Sequence, residues 1–223
     1  DATFMHMKDD HMRNAQLKPG YNVQIAVDSE YIVATDIFQD RNDVWTLVPF
    51  LKTMEERLNY RYPSVTADSG YEIEEGYSYL REQGQTSSPC LCPEAKKQKW
   101  IRIGCDRIRM RKLHRVSVSG KCKKSQNHKR LYISKNFVEK RQESYENILS
   151  EKGILYRMNR SIQVEGEFGV LKNDYEFQRF LLQGKTKVKL EILLLCMGYN
   201  LNKLHAKIQN ERTGKYMFEV KTA

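Results

Sequence analysis

The sequence predicts a mixed α/β fold interrupted by a basic insertion, and three observations lead there. Tyr21 to Val27 and Tyr31 to Ile37 alternate in the manner of β-strands. Helical periodicity follows between Asp43 and Leu58 and returns from Phe137 onward. From Gln85 to Lys135 the periodicity fails, and Pro89, Pro93, Gly104 and Gly120 punctuate a stretch dominated by Lys and Arg.

The elements follow in order. The first 19 residues contain no clear strand. In the strand at Tyr21–Val27, Tyr21, Val23, Ile25 and Val27 share one face and Asn22, Gln24 and Ala26 the other, the pattern of a half-buried strand. Asp28-Ser29-Glu30 turns the chain into an antiparallel partner. Asp43 is placed to cap a helix running to about Leu58, with Val44, Leu47, Val48, Leu51, Met54 and Leu58 at helical spacing. After Tyr62-Pro63, a short strand from Ser64 to Ala67 delivers Asp68 at its C-terminal edge. Gly70 permits a sharp exit, and a helix from Glu72 to Gln83 ends at Gly84.

Within the insertion, Arg115 to Ser119 and Arg130 to Ser134 are candidate strands. Phe137 to Leu149 reads as a helix. A longer one runs from about Tyr156 to Asp174, its Val164, Phe168, Leu171 and Tyr175 forming one stripe. A final helix spans roughly Lys187 to Ile208 behind Thr186. The predicted organisation is a first core portion at 1–84, a basic insertion at 85–136, a helical core portion at 137–210 and a tail at 211–223.

The net charge of +10 is localised. Between Lys96 and Lys135 lie 15 Lys or Arg and one acid, Asp106, leaving 23 basic and 27 acidic residues elsewhere. A solvated loop can carry such a run, but this concentration more often marks a footprint for a polyanion, readable as phosphate backbone and silent about sequence. Five cysteines at irregular spacing do not suggest a secreted disulfide framework, and Cys196 reads as core packing. No apolar run reaches the ~20 residues that span a bilayer. The longest, Leu190 to Met197, is interrupted by Glu191 and reads as a buried helix; the polar opening from Asp1 to His11 is unlike a signal peptide. A cytoplasmic protein is expected.

Phosphodiester cleavage needs an activated water or hydroxyl and neutralisation of phosphoryl charge, which two divalent cations roughly 4 Å apart supply. Hard cations take carboxylate oxygens. Asp68, ending a strand, and Glu165, beside the apolar stripe, are the candidates. Lys172 follows Glu165 by seven residues, two helical turns, where it could meet a phosphate. On spacing alone, a solvated helix face accounts for Glu165 and Lys172, and a turn carboxylate accounts for Asp68.

Larger blocks resolve these alternatives. Ala67-Asp68-Ser69-Gly70-Tyr71 resembles the segment around the second catalytic aspartate of bacterial insertion-sequence transposases of the DDE type, which have an RNase H-like core. The stretch Arg157-Met158-Asn159-Arg160-Ser161-Ile162-Gln163-Val164-Glu165-Gly166-Glu167-Phe168-Gly169-Val170-Leu171-Lys172 resembles their glutamate block. Lys18 to Val27 is similar to their second core strand, and Met197 to His205 to their closing helix. The resemblance spans nearly all the chain outside residues 85 to 130.

It implies an RNase H-like mixed sheet flanked by helices, with Asp68 as the second metal-binding Asp and Glu165 as the catalytic Glu. Tyr156, Arg160 and Lys172 would assist at the DNA phosphate. Glu167 is a rival to Glu165, but only Glu165 has the six-residue gap to Lys172. Tyr156 and Arg160 each sit one residue further from their next partner than the family pattern. Two Mg²⁺ or Mn²⁺ ions, double-stranded DNA as transposon ends and target, and a homodimer are implied, with hydrolysis followed by strand transfer.

Residues 1 to 19 offer no Asp-bearing strand, since Asp1, Asp9 and Asp10 lie in a polar stretch and Asp28 and Asp36 fall on the wrong strands. The expectation is a core lacking its first strand and first Asp, inactive alone, with a non-catalytic DNA-binding remnant as the alternative. Cys90, Cys92, Cys105 and Cys122, with His114 and His128, lack the paired C-x-x-C spacing of a zinc site, so zinc is not expected.

Overall fold

A computed structural model describes residues 2–6, 16–87, 106–109 and 130–215, with the backbone alone at 106–109 and 130–133. Asp1, Asp9, Asp10, the insertion's four cysteines, His114, His128 and the candidate strand at Arg115–Ser119 lie outside the described residues. The fold is mixed α/β, but its described strands form four separate two-stranded ladders rather than one hydrogen-bonded sheet.

The first 19 residues do contain strands. β1 (Thr3–His6) pairs antiparallel with β2 (Leu17–Gly20). Strands of four residues, the second containing Pro19 and Gly20, carry too little alternation to be read from sequence. β3 (Asn22–Asp28) and β4 (Tyr31–Phe38) form the expected hairpin. Ser29 and Glu30 both take positive φ, 54° and 70°, the left-handed pair of a tight primed turn. A bulge falls between Ala26 and Val27.

Asp43 does not cap the following helix. It opens a 3₁₀ turn, Asp43–Trp45, and its carboxylate reaches back to β3; Thr46 is the residue before α1 (Leu47–Leu58). The strand leading to Asp68 shortens to β5 (Ser64–Val65), which runs parallel to β6 (Thr86–Ser87). Between them lies α2 (Glu74–Glu82), closed by Gly84 at φ 69°. β7 (Asp106–Arg109) and β8 (Arg130–Ile133) pair antiparallel within the segment expected to be an insertion.

α3 (Lys135–Leu149) starts at Ser134, whose Oγ accepts from the Phe137 amide at 3.2 Å. α4 (Glu151–Arg160) starts the same way, Ser150 Oγ accepting from Gly153 N at 3.0 Å. The chain crosses itself so closely there that a Cβ on Gly153 would stand 1.9 Å from the Asn147 carbonyl oxygen. From α4 the helix continues through a π turn (Ser161–Glu165), a single α turn, α5 (Gly166–Gly169), and a second π turn (Val170–Asp174). The last helix, α6 (Lys185–Gln209), begins after Gly184 at φ 87°, so Thr186 lies inside the first turn instead of capping it.

The β3–β4 hairpin is covered on both faces. On one side Ile32, Ile37, Leu171, Val188, Ile192, Cys196 and Tyr199 form a core, with Val23 and Ile25 packed against it. On the other, Leu47, Leu51, Met54 and Leu80 of α1 and α2 pack on Ala26, Ala34 and Val65. The polar face of β3 is therefore not solvated as the alternation implied: Gln24 is 3% exposed. Each fully buried Leu or Ile contributes about 1.5–3 kcal/mol, so these two clusters hold the layers together.

Polar contacts then fix α6 on the hairpin. Asn200 gives its Nδ2 to the Ile32 carbonyl at 2.8 Å and accepts from the Ile32 amide at 2.9 Å. Glu30, buried in the turn, meets Lys203 at 3.1 Å, Lys207 at 3.1 Å and Arg212 at 3.3 Å. Asp36 bonds Lys189 at 2.7 Å.

Candidate active site

The β3 polar face is tied to Asp43 and to the 3₁₀ turn after Asp68, and the first π turn touches the same hairpin at Glu30. Asn22 Nδ2 donates to Asp43 Oδ1 at 2.7 Å, and Gln24 Nε2 donates to Asn22 Oδ1 at 2.7 Å and to Asp43 Oδ1 at 3.2 Å. The Tyr71 hydroxyl completes the chain by donating to Gln24 Oε1. Burial, then the Asp43 carboxylate, push the Tyr71 hydroxyl well above its ordinary pKa; the charge of Asp68 adds to this and that of Arg160 opposes it. Tyr71 therefore stays a neutral donor to Gln24.

Asp68 is exposed. It precedes the short 3₁₀ turn Ser69–Tyr71, and its Oδ1 accepts from the Ser69 amide at 2.6 Å. The Asp43 carboxylate sits under this turn: a Cβ at Gly70 would lie 3.4 Å from Asp43 Oδ2.

Glu165 ends the first π turn with its side chain 66% exposed, and Arg160 Nη2 reaches it at 3.3 Å from a side chain only 14% exposed. A five-residue separation suits this pair because a π turn brings residue i close to i+5. The turn is seated on β3–β4, where Gln163 Oε1 accepts from the Glu30 amide at 3.4 Å. Glu167, two residues on, faces inward. It is 2% exposed, neither carboxylate oxygen has a partner in good hydrogen-bond geometry, and burial raises its pKa to about 7 against the weaker pull of Lys203 and of the Tyr199 hydroxyl.

The other sequence candidates are dispersed. Lys172 lies exposed in the second π turn, so the helix between it and Glu165 is not the uniform two α-turns that the spacing implied. The Tyr156 ring sits under the Lys152 ammonium at 5.5 Å. Sequence reading missed Asn22, Gln24, Asp43 and Tyr71 as a connected group. The available signal was two amide side chains on one face of a strand, which need partners if that face is covered.

Among the described residues, no group of three or more His, Cys, Asp or Glu side chains is placed to hold a metal ion. Asp68 and Glu165 offer hard carboxylate oxygens, but two carboxylates fall short of the donor set a divalent cation takes from protein. The described residues do not complete a cation site. No described helix is long and apolar enough to cross a membrane.

The family described as transposase DDE domain matches residues 91–205, which is 115 of the 223 residues. The matched stretch includes Tyr156, Arg160, Glu165, Lys172 and most of α6, while Asp68 lies before it. No curated protein and no solved structure matches the chain significantly.

Proposed function

The chain belongs to the transposase DDE domain family, and on that premise we propose that it is the DNA-acting core of a bacterial insertion-sequence transposase, built on an RNase H-like scaffold. Asp68 and Glu165 are the carboxylates that face the scissile phosphodiester. Arg160 orients Glu165 and, with Lys172 and Tyr156, meets the DNA phosphate. The observation that carries this reading is the disposition of Glu165: exposed, and held at 3.3 Å by a largely buried arginine. The order hairpin, helix, strand and Asp68 supports the scaffold.

In this reading water, and then a 3′-hydroxyl, displaces an oxygen at phosphorus. Divalent cations would supply charge neutralisation there, with donors beyond those the described residues offer. The chain's own contribution is positioning. A guanidinium holds one carboxylate in place, and the Asp43–Gln24–Tyr71 chain fixes the turn that carries the other.

A second reading, a DNA-binding remnant without turnover, is favoured by the incomplete carboxylate set among the described residues. One assay separates them: nicking of supercoiled duplex by the 223-residue chain with Mg²⁺ or Mn²⁺, beside Asp68→Ala and Glu165→Ala. Turnover lost at least about 100-fold in both variants, with DNA binding retained, is the expected result for the catalytic reading. Cation-dependent nicking that survives both substitutions would overturn the site. Binding without nicking by the parent chain would select the remnant.

A further inference from the structure

The segment between the second π turn and α6 packs its aromatic residues inward and presents two leucines to solvent. Tyr175, Phe177 and Phe180 lie against the hairpin core. The Phe177 and Phe180 ring centroids are 5.2 Å apart, and Phe180 meets Tyr21 at 6.0 Å, both edge to face. Leu181, the next residue, is 82% exposed, more than any other large hydrophobic side chain among the described residues; Leu182 is 43% exposed. Their backbone is nevertheless held. Glu191 of α6 accepts from the Leu181 amide through Oε1 at 2.9 Å and from the Leu182 amide through Oε2 at 3.0 Å. One carboxylate thus fixes both leucines by charge-assisted hydrogen bonds while leaving their side chains uncovered.

The surroundings of this tip are cationic. From Phe177 to Leu190 the sequence holds four basic residues, Arg179, Lys185, Lys187 and Lys189, and no acid. Lys189 is held by Asp36 at 2.7 Å. Arg179, Lys185 and Lys187 are exposed and make no ion pair among the described residues. Surfaces that meet a protein are depleted of lysine. An apolar tip ringed by free cations suits a partner with phosphates outside and stacked bases within. Leucine is one of the side chains that insert between base steps, partly unstacking them and kinking the duplex.

We propose that Leu181 is a wedge that enters a base step of duplex DNA, with Arg179, Lys185 and Lys187 on the adjoining phosphates. Glu191 is its positioning residue, because a tip ordered before binding loses less conformational entropy on insertion. The proposal rests on the reading that the chain acts on DNA, and it uses neither Asp68 nor Glu165.

Fluorescence anisotropy of the full 223-residue chain tests it. The probe is a labelled duplex of about 30 bp, fully paired or with one central mismatch, where unstacking costs less. The parent should bind the mismatched duplex at least about 5-fold more tightly. Leu181→Ala, with unchanged circular dichroism because the side chain is so exposed, should abolish that preference. It should leave the salt dependence of binding as it was, since the lost contact is apolar. Leu181→Met should keep the preference, methionine being another inserting side chain. Glu191→Gln, with one acceptor oxygen in place of two, should reduce the preference at the parent's salt dependence. Lys185→Ala with Lys187→Ala should keep the preference and make the slope of log affinity against log salt shallower by up to about 2.

A preference that survives Leu181→Ala overturns the wedge. So does a parent chain that binds both duplexes equally, as it would if the tip meets a protein instead. Either result leaves the catalytic reading standing wherever nicking still depends on Asp68 and Glu165. A parent chain that binds no duplex overturns both.

Discussion

Glu165 and Glu167 are two residues apart and meet opposite surroundings. Glu165 projects to solvent and a guanidinium; Glu167 is buried among Tyr199, Lys203 and Glu30, with burial raising its pKa from 4.5 to about 7. An acid whose folded pKa lies above its unfolded value stabilises the fold most when protonated. Its contribution is complete below about pH 4.5 and is lost as pH rises through about 7. Glu167→Gln removes that loss, so the variant should match the parent near pH 5 and exceed it by about 1–3 kcal/mol near pH 8.5 in urea melts. Parallel melting behaviour of the two proteins at both pH values would show that Glu167 does not carry the proton. This inward carboxylate could not be told from its neighbour by composition. The six-residue gap from Glu165 to Lys172 separated them only through the family pattern, because two π turns alter the helical phase that a sequence reading assumes to be constant.

The hairpin and α6 form a unit joined at the turn. Glu30 is buried with Lys203, Lys207 and Arg212 around it; burial alone would raise its pKa, but hydrogen bonds from Lys203 and Lys207 outweigh that and lower it. Lys207 is itself buried, so Glu30→Gln leaves an ammonium without its counter-charge in a poorly solvated place. A loss of about 3 kcal/mol in chemical denaturation is expected, against under about 1 kcal/mol for Glu211→Gln on the nearby surface. Equal effects of the two substitutions would show that Glu30 does not clamp the turn to α6. The same unit shows where legibility from sequence ends. The hairpin, α1, α2, α3 and the long helix were legible because hydrophobic period and turn residues agree over seven or more residues. β1 and β2 were not, being four residues each. The exposure of half of α6 was not legible either: Leu190 to Met197 reads as a buried run, since composition cannot say which apolar face the other described residues cover.

Across the whole molecule the charge is unevenly divided. Outside residues 96–135 the chain carries 23 basic and 27 acidic residues, and several of those acids, Glu30 and Asp36 among them, serve to fix helices in place. The excess of positive charge lies in residues 96–135, which hold 15 Lys and Arg and a single acid. A protein that neutralises phosphates releases condensed counterions, so the logarithm of affinity for duplex DNA should fall linearly with the logarithm of salt concentration. If the insertion supplies the contacts, replacing Lys121, Lys123 and Lys124 with alanine should make that slope shallower by up to about 3, with similar losses on unrelated duplex sequences. Asp68→Ala and Glu165→Ala, which remove acids beside the proposed phosphate site, should leave the slope unchanged or strengthen binding slightly. Fluorescence anisotropy across about 50–300 mM salt reads both sets. An unaltered slope in the triple-lysine variant would move the DNA footprint off the insertion and onto the core, where the exposed Lys172 and the arginine beside Glu165 would have to carry it.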